Sequence, residues 1–417
     1  MKSSMTQATH GGMIIKHARF PVCRQAGMWQ LRDNYKHMKT YDIAVIGTGP
    51  AGAMAAYTAA ARGKKVLLID KEQLPRYKTC GGGLVFRGRS RLPFALDGMV
   101  EKECREIEVY FEGSDHYFLT RREQPIISMV MRDSFDSLLV DKAREKGAEL
   151  LQQCTLQGLQ EEDEELLLQT SRGAFRTRYL IAADGALSPT AKLAGWEESR
   201  KLIPALEYEV EVNPADFERL SRRTRFDVDA VPYGYAWCFP KKNHLSIGVG
   251  CLKKQKINLK AYYEAYLEKL EIREIRSASA HGFQIPIAPR QSGFSRGRVF
   301  LAGDAAGFAD PLTAEGISNA LYSGELAAQA LVASGESVGQ AGETYQRLLE
   351  ERLLPELKTS SLMAWVFYAQ PQVRNWLLQK YGQRGCEILT DMFMGNQPFP
   401  DNLKQKLADR IPLLRFS

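Results

Sequence analysis

The chain contains no apolar run of 18 residues, so no segment reads as a membrane-spanning helix. It has no C-x-x-C pair. Its seven cysteines stand singly, at Cys23, Cys80, Cys104, Cys154, Cys238, Cys251 and Cys386. An odd number without paired spacing argues against a disulfide framework or a zinc site and fits a reducing, cytoplasmic setting. The body of the chain also lacks surplus charge. Residues 1–40 carry Lys2, Lys16, Arg19, Arg24, Arg32, Lys36 and Lys39 against Asp33 alone, which is +6 of the formal net charge of +7. Nucleic-acid binding needs a basic face on the folded body, and no excess remains there to build one. No internal repeat is visible, and there is no separate nicotinamide fingerprint.

At 417 residues, with 44% hydrophobic and 25% charged content, the rest reads as a globular protein of two or three units. Residues 1–39 show neither helical nor strand period and read as a basic leader without ordered structure. Met38 in "MKTYDIAVIG" is an alternative start that places the first strand at the N-terminus. An organelle-targeting peptide is the other reading.

From Tyr41 the pattern changes. Ile43–Ile46 is a short apolar run of the kind that forms a buried parallel strand. Gly47, Gly49 and Gly52 then make G-x-G-x-x-G ahead of an alanine-rich helix, followed by Gly63, the strand Val66–Ile69 and Asp70. Each position has a role in holding a dinucleotide. Gly47 permits the tight turn, Gly49 lets the backbone approach a pyrophosphate, and Gly52 lets helix and strand pack closely. The helix N-terminus faces the phosphates. Asp70, 23 residues after Gly47, suits the ribose hydroxyls of an adenosine half and argues against a 2′-phosphate. The motif alone leaves FAD and NAD open.

A second signature lies far downstream in "RVFLAGDAAGFADPLTAEGISNAL", Arg298–Leu321. A short buried strand ends at Gly303-Asp304, and a long helix begins near Gly316 and Ile317. A carboxylate at a strand end can take ribityl hydroxyls. A helix N-terminus can stabilise negative charge on a reduced flavin. Between the two signatures, Arg132 precedes an amphipathic helix and Asp184-Gly185 ends another strand.

The stretch "YAWCFPKKNHLSIGVG", Tyr235–Gly250, reads as a hairpin. Side chains alternate faces along a strand, so Tyr235, Trp237 and Phe239 share one face and Ala236 and Cys238 the other. Lys241–His244 make the turn. The return strand alternates Leu245, Ile247 and Val249 with Ser246, Gly248 and Gly250. The expectation is one bulky apolar face walling a slot, and one nearly bare face that another layer can approach. Periodicity alone equally describes an aromatic stripe packed in a β-core.

As a set, these motifs resemble the flavoprotein superfamily that includes para-hydroxybenzoate hydroxylase, over most of residues 41–330. Within it the chain resembles the geranylgeranyl reductase family. The pattern Y-x-W-x-F-P-K, six residues, then G-[VT]-G is met by Tyr235, Trp237, Phe239, Pro240, Lys241, Gly248 and Gly250. "LPRYKTCGGGL" supplies Cys80-Gly81-Gly82, and "GDAAGFADPLTAEGI" the late flavin motif. The resemblance implies FAD contacts at Ala51, Asp70, Cys80, Gly81, Gly83, Arg132, Leu156, Asp304, Gly316 and Ile317, beside the motif glycines Gly47, Gly49 and Gly52. It implies substrate contacts at Tyr235, Trp237 and Phe239. The implied reaction saturates C=C bonds of a geranylgeranyl or polyprenyl chain by hydride transfer from flavin N5 plus protonation. Cys80, Tyr235 or water would be the proton source. NAD(P)H, ferredoxin or a quinol would reduce the flavin.

The expected class is α/β: a Rossmann-like FAD-binding domain, discontinuous over 40–92, 126–190 and 292–334, with an inserted antiparallel β-sheet substrate domain from 93–125 and 191–291. Residues 335–417 read as a helical C-terminal region. Its aromatics Trp365, Phe367, Tyr368 and Trp376 could close the lipid slot, lie on a membrane surface, or simply pack onto the flavin domain. The main rival function is a flavin monooxygenase or halogenase acting on an aromatic substrate. The W-x-W-x-I-P stretch of halogenases is absent, and "YAWCFP" echoes it only in part. A flavoprotein that relays electrons or binds lipid without transforming it is a third reading.

Overall fold

Short apolar runs without alternation become the centre of one sheet. In this computed structural model, residues 38–96, 98–111, 117–162, 164–253, 255–335 and 337–396 are described. The expected leader through residue 37 and the last 21 positions lie outside them. Strands Gly173–Ala182, Thr40–Ile46, Val66–Ile69 and Glu149–Leu151 lie side by side in parallel, with Val299–Leu301 parallel on the outer side of Gly173–Ala182. Val66–Ile69 and Val299–Leu301 are buried at every position. Helices cover both faces of such a sheet, so no polar side is needed. The helix Pro50–Ala60 is buried almost throughout and packs against the long helix Ile317–Ala333. Gly324 makes this approach possible, because a Cβ there would sit 2.0 Å from the Ala51 carbonyl oxygen.

A second sheet has seven strands, ordered Ile275–Pro286, Leu202–Val212, Leu245–Cys251, Gly234–Pro240, Thr224–Val228, Glu106–Phe111 and Tyr117–Arg121. Every pairing is antiparallel except Thr224–Val228 with Glu106–Phe111. A small three-stranded sheet, Gly83–Val85, Ile127–Val130 and Val100–Cys104, carries the chain between the two. The mixed α/β architecture is the one the motifs imply.

The hairpin corrects one expectation. Residues directly opposite in an antiparallel pair share a face. The register sets Tyr235 against Gly250, Trp237 against Gly248 and Phe239 against Ser246. The rings and the small residues are therefore on the same face. The other face pairs Ala236 with Val249 and Cys238 with Ile247, and it is packed rather than bare. Val210, Leu245, Tyr263 and Tyr266 complete a core there. Reading the strands one at a time missed that each glycine makes lateral room for the ring beside it.

Three helices end the described chain: Val338–Arg352, Leu354–Ala369 and Pro371–Met394. Tyr368 is buried against Leu312 and Ile203, and its hydroxyl donates to the Leu312 carbonyl at 2.9 Å. Trp365 and Trp376 are exposed. Among the described residues, no helix is long and apolar enough to cross a membrane.

Candidate active site

A cleft of about 740 Å³ runs from the glycine turn, past the Cys80 loop, to the aromatic hairpin. Gly47, Gly49, Ala51, Asp70, Cys80, Gly81, Gly83, Arg132, Leu156, Tyr235, Trp237, Phe239, Asp304, Gly316 and Ile317 all line it. Gly52 does not. It lies against the turn itself, where a Cβ would come within 1.9 Å of the Gly47 carbonyl oxygen. Gly47 has φ +101°, and a side chain there would meet the Ala183 carbonyl.

The phosphate end is cationic. A Cβ on Gly49 would have only Arg132 Nη2 and Arg76 Nη2 near it, at 3.8 and 3.9 Å. The start of the helix Pro50–Ala60 thus opens between two guanidinium groups, which fits a pyrophosphate. Arg132 is fixed by a two-point pair with the fully buried Asp136, both bonds at 2.8 Å. Burial alone would lower its pKa, but Asp136 outweighs that and the group stays charged. Arg76 is ion-paired to Asp136 through its buried Nη1, 3.2 Å from the carboxylate. Asp70 accepts from the Thr48 N–H at 2.8 Å and from the Glu72 N–H at 2.9 Å. These bonds hold its carboxylate at the strand end beside the turn.

Further along, Asp304 Oδ1 lies 3.6 Å from where a Gly316 Cβ would be, so the late carboxylate and the N-terminus of Ile317–Ala333 sit together. Burial pushes the Asp304 carboxyl up, while Lys78, Arg132 and Arg200 pull it back. Cation-lined turn, two strand-end carboxylates and a second helix start together have the chemistry to hold FAD's pyrophosphate, its two polyol segments and the flavin's polar edge.

The Cys80-Gly81-Gly82-Gly83 loop is fastened to the hairpin by Lys241. A turn lysine is expected in solvent; this one is completely buried, donating to the Gly81 carbonyl at 2.8 Å and the Val130 carbonyl at 3.0 Å. Burial lowers its pKa, against the pull of Glu209, Cys80 and Glu207. The loop then meets the rings closely. A Cβ on Gly81 would lie 3.1 Å from both the Phe239 ring and Trp237 Nε1. The Trp237 ring lies over Gly248, where a Cβ would be 2.1 Å from it. Trp237 Nε1 is buried and has no hydrogen-bond partner among the described residues. Tyr235 is different: its hydroxyl already donates to the Thr313 carbonyl at 2.5 Å, and burial raises its pKa.

Two acidic groups in the cleft were not among the expected site residues, although Glu315 lies within the late motif. Glu315 sits just before the late helix, accepts from the Ser318 N–H at 2.8 Å and faces Arg87 at 3.7 Å. Glu207 lies on Leu202–Val212, only 2% exposed. The register places it opposite Gly248, which in turn faces Trp237. Its Oε1 accepts from the Tyr77 hydroxyl at 2.9 Å and from the Cys80 N–H at 3.2 Å. Burial, with Glu209 adding to it, pushes this carboxyl up to about 7. In sequence Glu207 belongs to an alternating "EYEVEV", which any half-exposed strand could contain. Only the pairing reveals it as a buried acid at the site.

The comparisons agree with this geometry. A sequence signature described as an FAD binding domain matches residues 102–348, and a second of the same description matches 42–95. Digeranylgeranylglycerophospholipid reductase 1 of Methanococcoides burtonii is 31% identical over 70% of this chain and 75% of its own. The chloroplastic geranylgeranyl diphosphate reductase of Oryza sativa subsp. japonica is 28% identical over 86% of this chain and 82% of its own. A geranylgeranyl bacteriochlorophyll reductase-like protein from Thermoplasma acidophilum shares the fold, with a TM-score of 0.72 and 24% identity, over 90% of this chain and 97% of that one. Flavin-dependent halogenases and a monooxygenase share the fold as well, below 25% identity, so the fold by itself does not choose the reaction. The signature and the relatives place it more narrowly: this chain is an FAD-dependent oxidoreductase and belongs to the geranylgeranyl reductase family.

Proposed function

We propose that the enzyme saturates isolated C=C bonds of an isoprenoid chain. One observation carries this reading. Phe226, Ile127, Val85 and Phe393 line the cleft with Trp237 and Phe239, and all but Trp237 belong to one packed apolar cluster. A hydrocarbon chain matches such a lining, and burying it there stabilises by about 25 cal/mol for each Å² removed from water.

Gly47, Gly49, Arg76 and Arg132 would hold the pyrophosphate of FAD, Asp70 the adenosine ribose, and Asp304 with Gly316 and Ile317 the ribityl and flavin end. Bound and reduced, FAD supplies two electrons and one hydrogen as hydride. The protein's part is to place the alkene, exclude water and deliver a proton. Trp237 and Phe239 wall the chain. Lys241 fixes the Cys80 loop against them, so the chain-binding face and the cofactor-binding loop keep one relative position.

The test is strictly anaerobic turnover. Holoprotein reduced chemically is mixed with a geranylgeranyl lipid, and products are weighed by mass spectrometry. The expected gain is two hydrogens per double bond. A requirement for oxygen, with a product gaining an oxygen atom or a halogen, sinks the proposal and favours the monooxygenase or halogenase reading.

A further inference from the structure

Resting on that reading, we propose that Glu207 is the acid that protonates the alkene, with Tyr77 as its route to solvent. An isolated alkene has no carbonyl to accept charge, so addition of hydride at one carbon must be matched by a proton at the other. The site therefore needs a group that is protonated at working pH and sits among the chain-binding residues. Tyr235 is engaged with the Thr313 carbonyl. Burial raises Glu315 as well, but it is held between the Ser318 N–H and the Arg87 guanidinium, an ion pair that has no counterpart at Glu207 among the described residues. Glu207 is differently placed. It lines the cleft, is only 2% exposed, and shares a cross-strand row with Gly248 and Trp237.

Gly248 is central to this placement. With no side chain between them, Glu207 on one neighbouring strand and Trp237 on the other approach the cleft side by side. Among the described residues only Oε1 is used, by Tyr77 and Cys80. Oε2 has no hydrogen-bond partner among the described residues.

The charged and titratable groups around Glu207 are Glu209 on its own strand, Tyr77 and Cys80 on the loop, Lys241 at the hairpin turn and His281 on the outer strand. Glu209 opposes ionisation of Glu207, whereas Lys241 and the two hydrogen bonds to Oε1 favour it. The register sets His281 directly opposite Glu207, and the Tyr77 ring stacks on it at 4.0 Å. Tyr77 is 42% exposed. Its hydroxyl thus links a buried acid to the protein surface.

The balance is simple. The π bond of the alkene is consumed and two C–H bonds form. One hydrogen arrives as hydride from the reduced cofactor, which loses two electrons. The other arrives as the Glu207 proton, leaving a carboxylate that takes its next proton from water by way of Tyr77.

Glu207→Gln is the direct test. The amide oxygen can still accept from Tyr77 and Cys80, so the loop keeps its anchor while the acid is lost. General acid catalysis contributes 10²–10⁴-fold, so the expected result is a fall in kcat of at least about 100-fold with FAD content and flavin spectrum intact. Wild-type kcat should fall as pH rises through about 7, because the protonated form is the active one, and that limb should vanish in the variant. Glu207→Asp, still an acid, should recover part of the rate. Infrared titration gives a readout independent of turnover: a protonated-carboxyl band lost near neutral pH in wild type should be missing in Glu207→Gln.

If wild type reduces the chain and Glu207→Gln does so within about threefold, with the same pH limb, the proposal is overturned while the function stands. Absence of the carboxyl band overturns it equally. If wild type leaves the chain unsaturated, the functional reading itself fails and the acid role falls with it.

Discussion

The two ends of the cleft are built by different means. At the phosphate end, Gly47, Gly49 and Asp70 come from one continuous strand–turn–helix–strand unit, and the register of Thr40–Ile46 with Val66–Ile69 brings them together. At the chain-binding end, Trp237, Gly248 and Glu207 come from three strands, and nothing places them in a row except the pairing of those strands. The first end is set within one stretch of about 30 residues. The second depends on a registry that reverses every face if it slips by one residue. A single residue at the phosphate end can therefore be changed with mostly local effect, whereas one at the other end should be felt across the sheet.

Trp237 and Gly248 offer the sharpest test of that difference. Trp237→Ala should weaken binding of the isoprenoid chain by about 2–3 kcal/mol, the apolar contact of one large ring, with FAD affinity unchanged. A change confined to KM would mean uniform binding; a fall in kcat would mean the ring also positions the alkene. Gly248→Ala should be as damaging in wild type, because its Cβ would lie 2.1 Å from the ring; overpacking of this kind costs about 1–3 kcal/mol. In the Trp237→Ala background the same change should cost little. Denaturation midpoints of the four proteins give the coupling, and additive effects would mean the ring does not depend on the missing side chain.

Asp70→Ala probes the other end. Losing a charge-assisted hydrogen bond to a ribose should weaken FAD by about 1–3 kcal/mol. Thr48 and Glu72 N–H groups would also lose their acceptor, which adds to the cost. Apoprotein titrated with FAD, followed by flavin fluorescence, measures the loss. KM for the chain, assayed at saturating FAD, should not move. A Trp237-like effect on the chain would show that the two ends are not separable.

This division also explains what could be read from sequence. G-x-G-x-x-G, the late Gly303-Asp304 and the Tyr235–Gly250 pattern are contiguous, so their residues and their cleft were legible without coordinates. The faces of the hairpin were not, since whether Gly248 lies beside Trp237 or behind it depends on an alignment of two strands. Lys241 was read as the first residue of the turn, and its burial was not legible because its partners, the Gly81 and Val130 carbonyls, are more than a hundred positions away. Glu207 was invisible for the same reason: its burial comes from the Tyr77–Cys80 loop folding over the strand. Phe393 shows it too. The aromatic stretch of the tail left slot closure, a membrane surface and simple packing open; Tyr368 is buried as a packing residue, and among the described residues it is Phe393 of the tail that lines the cleft.

The smallest effect is expected at Tyr235, and it separates the two candidate acids. Tyr235→Phe removes one neutral hydrogen bond, from the hydroxyl to the Thr313 carbonyl. Such a bond contributes about 1 kcal/mol, so the thermal midpoint should drop slightly. The ring would remain on the face it shares with Trp237, and the apolar wall would be kept. The Thr313 carbonyl would lose its donor, and its loop leads to Gly316 at the cofactor end. Turnover should therefore fall by less than about tenfold, through placement of that loop, and the descending limb of kcat near neutral pH should stay where wild type has it. A donor tyrosine would behave otherwise. Its loss would stop protonation and leave hydride addition without its partner step. A fall of 100-fold or more in Tyr235→Phe with FAD intact, beside a mild Glu207→Gln, would move the proton to Tyr235 and leave Glu207 as the anchor of the Cys80 loop.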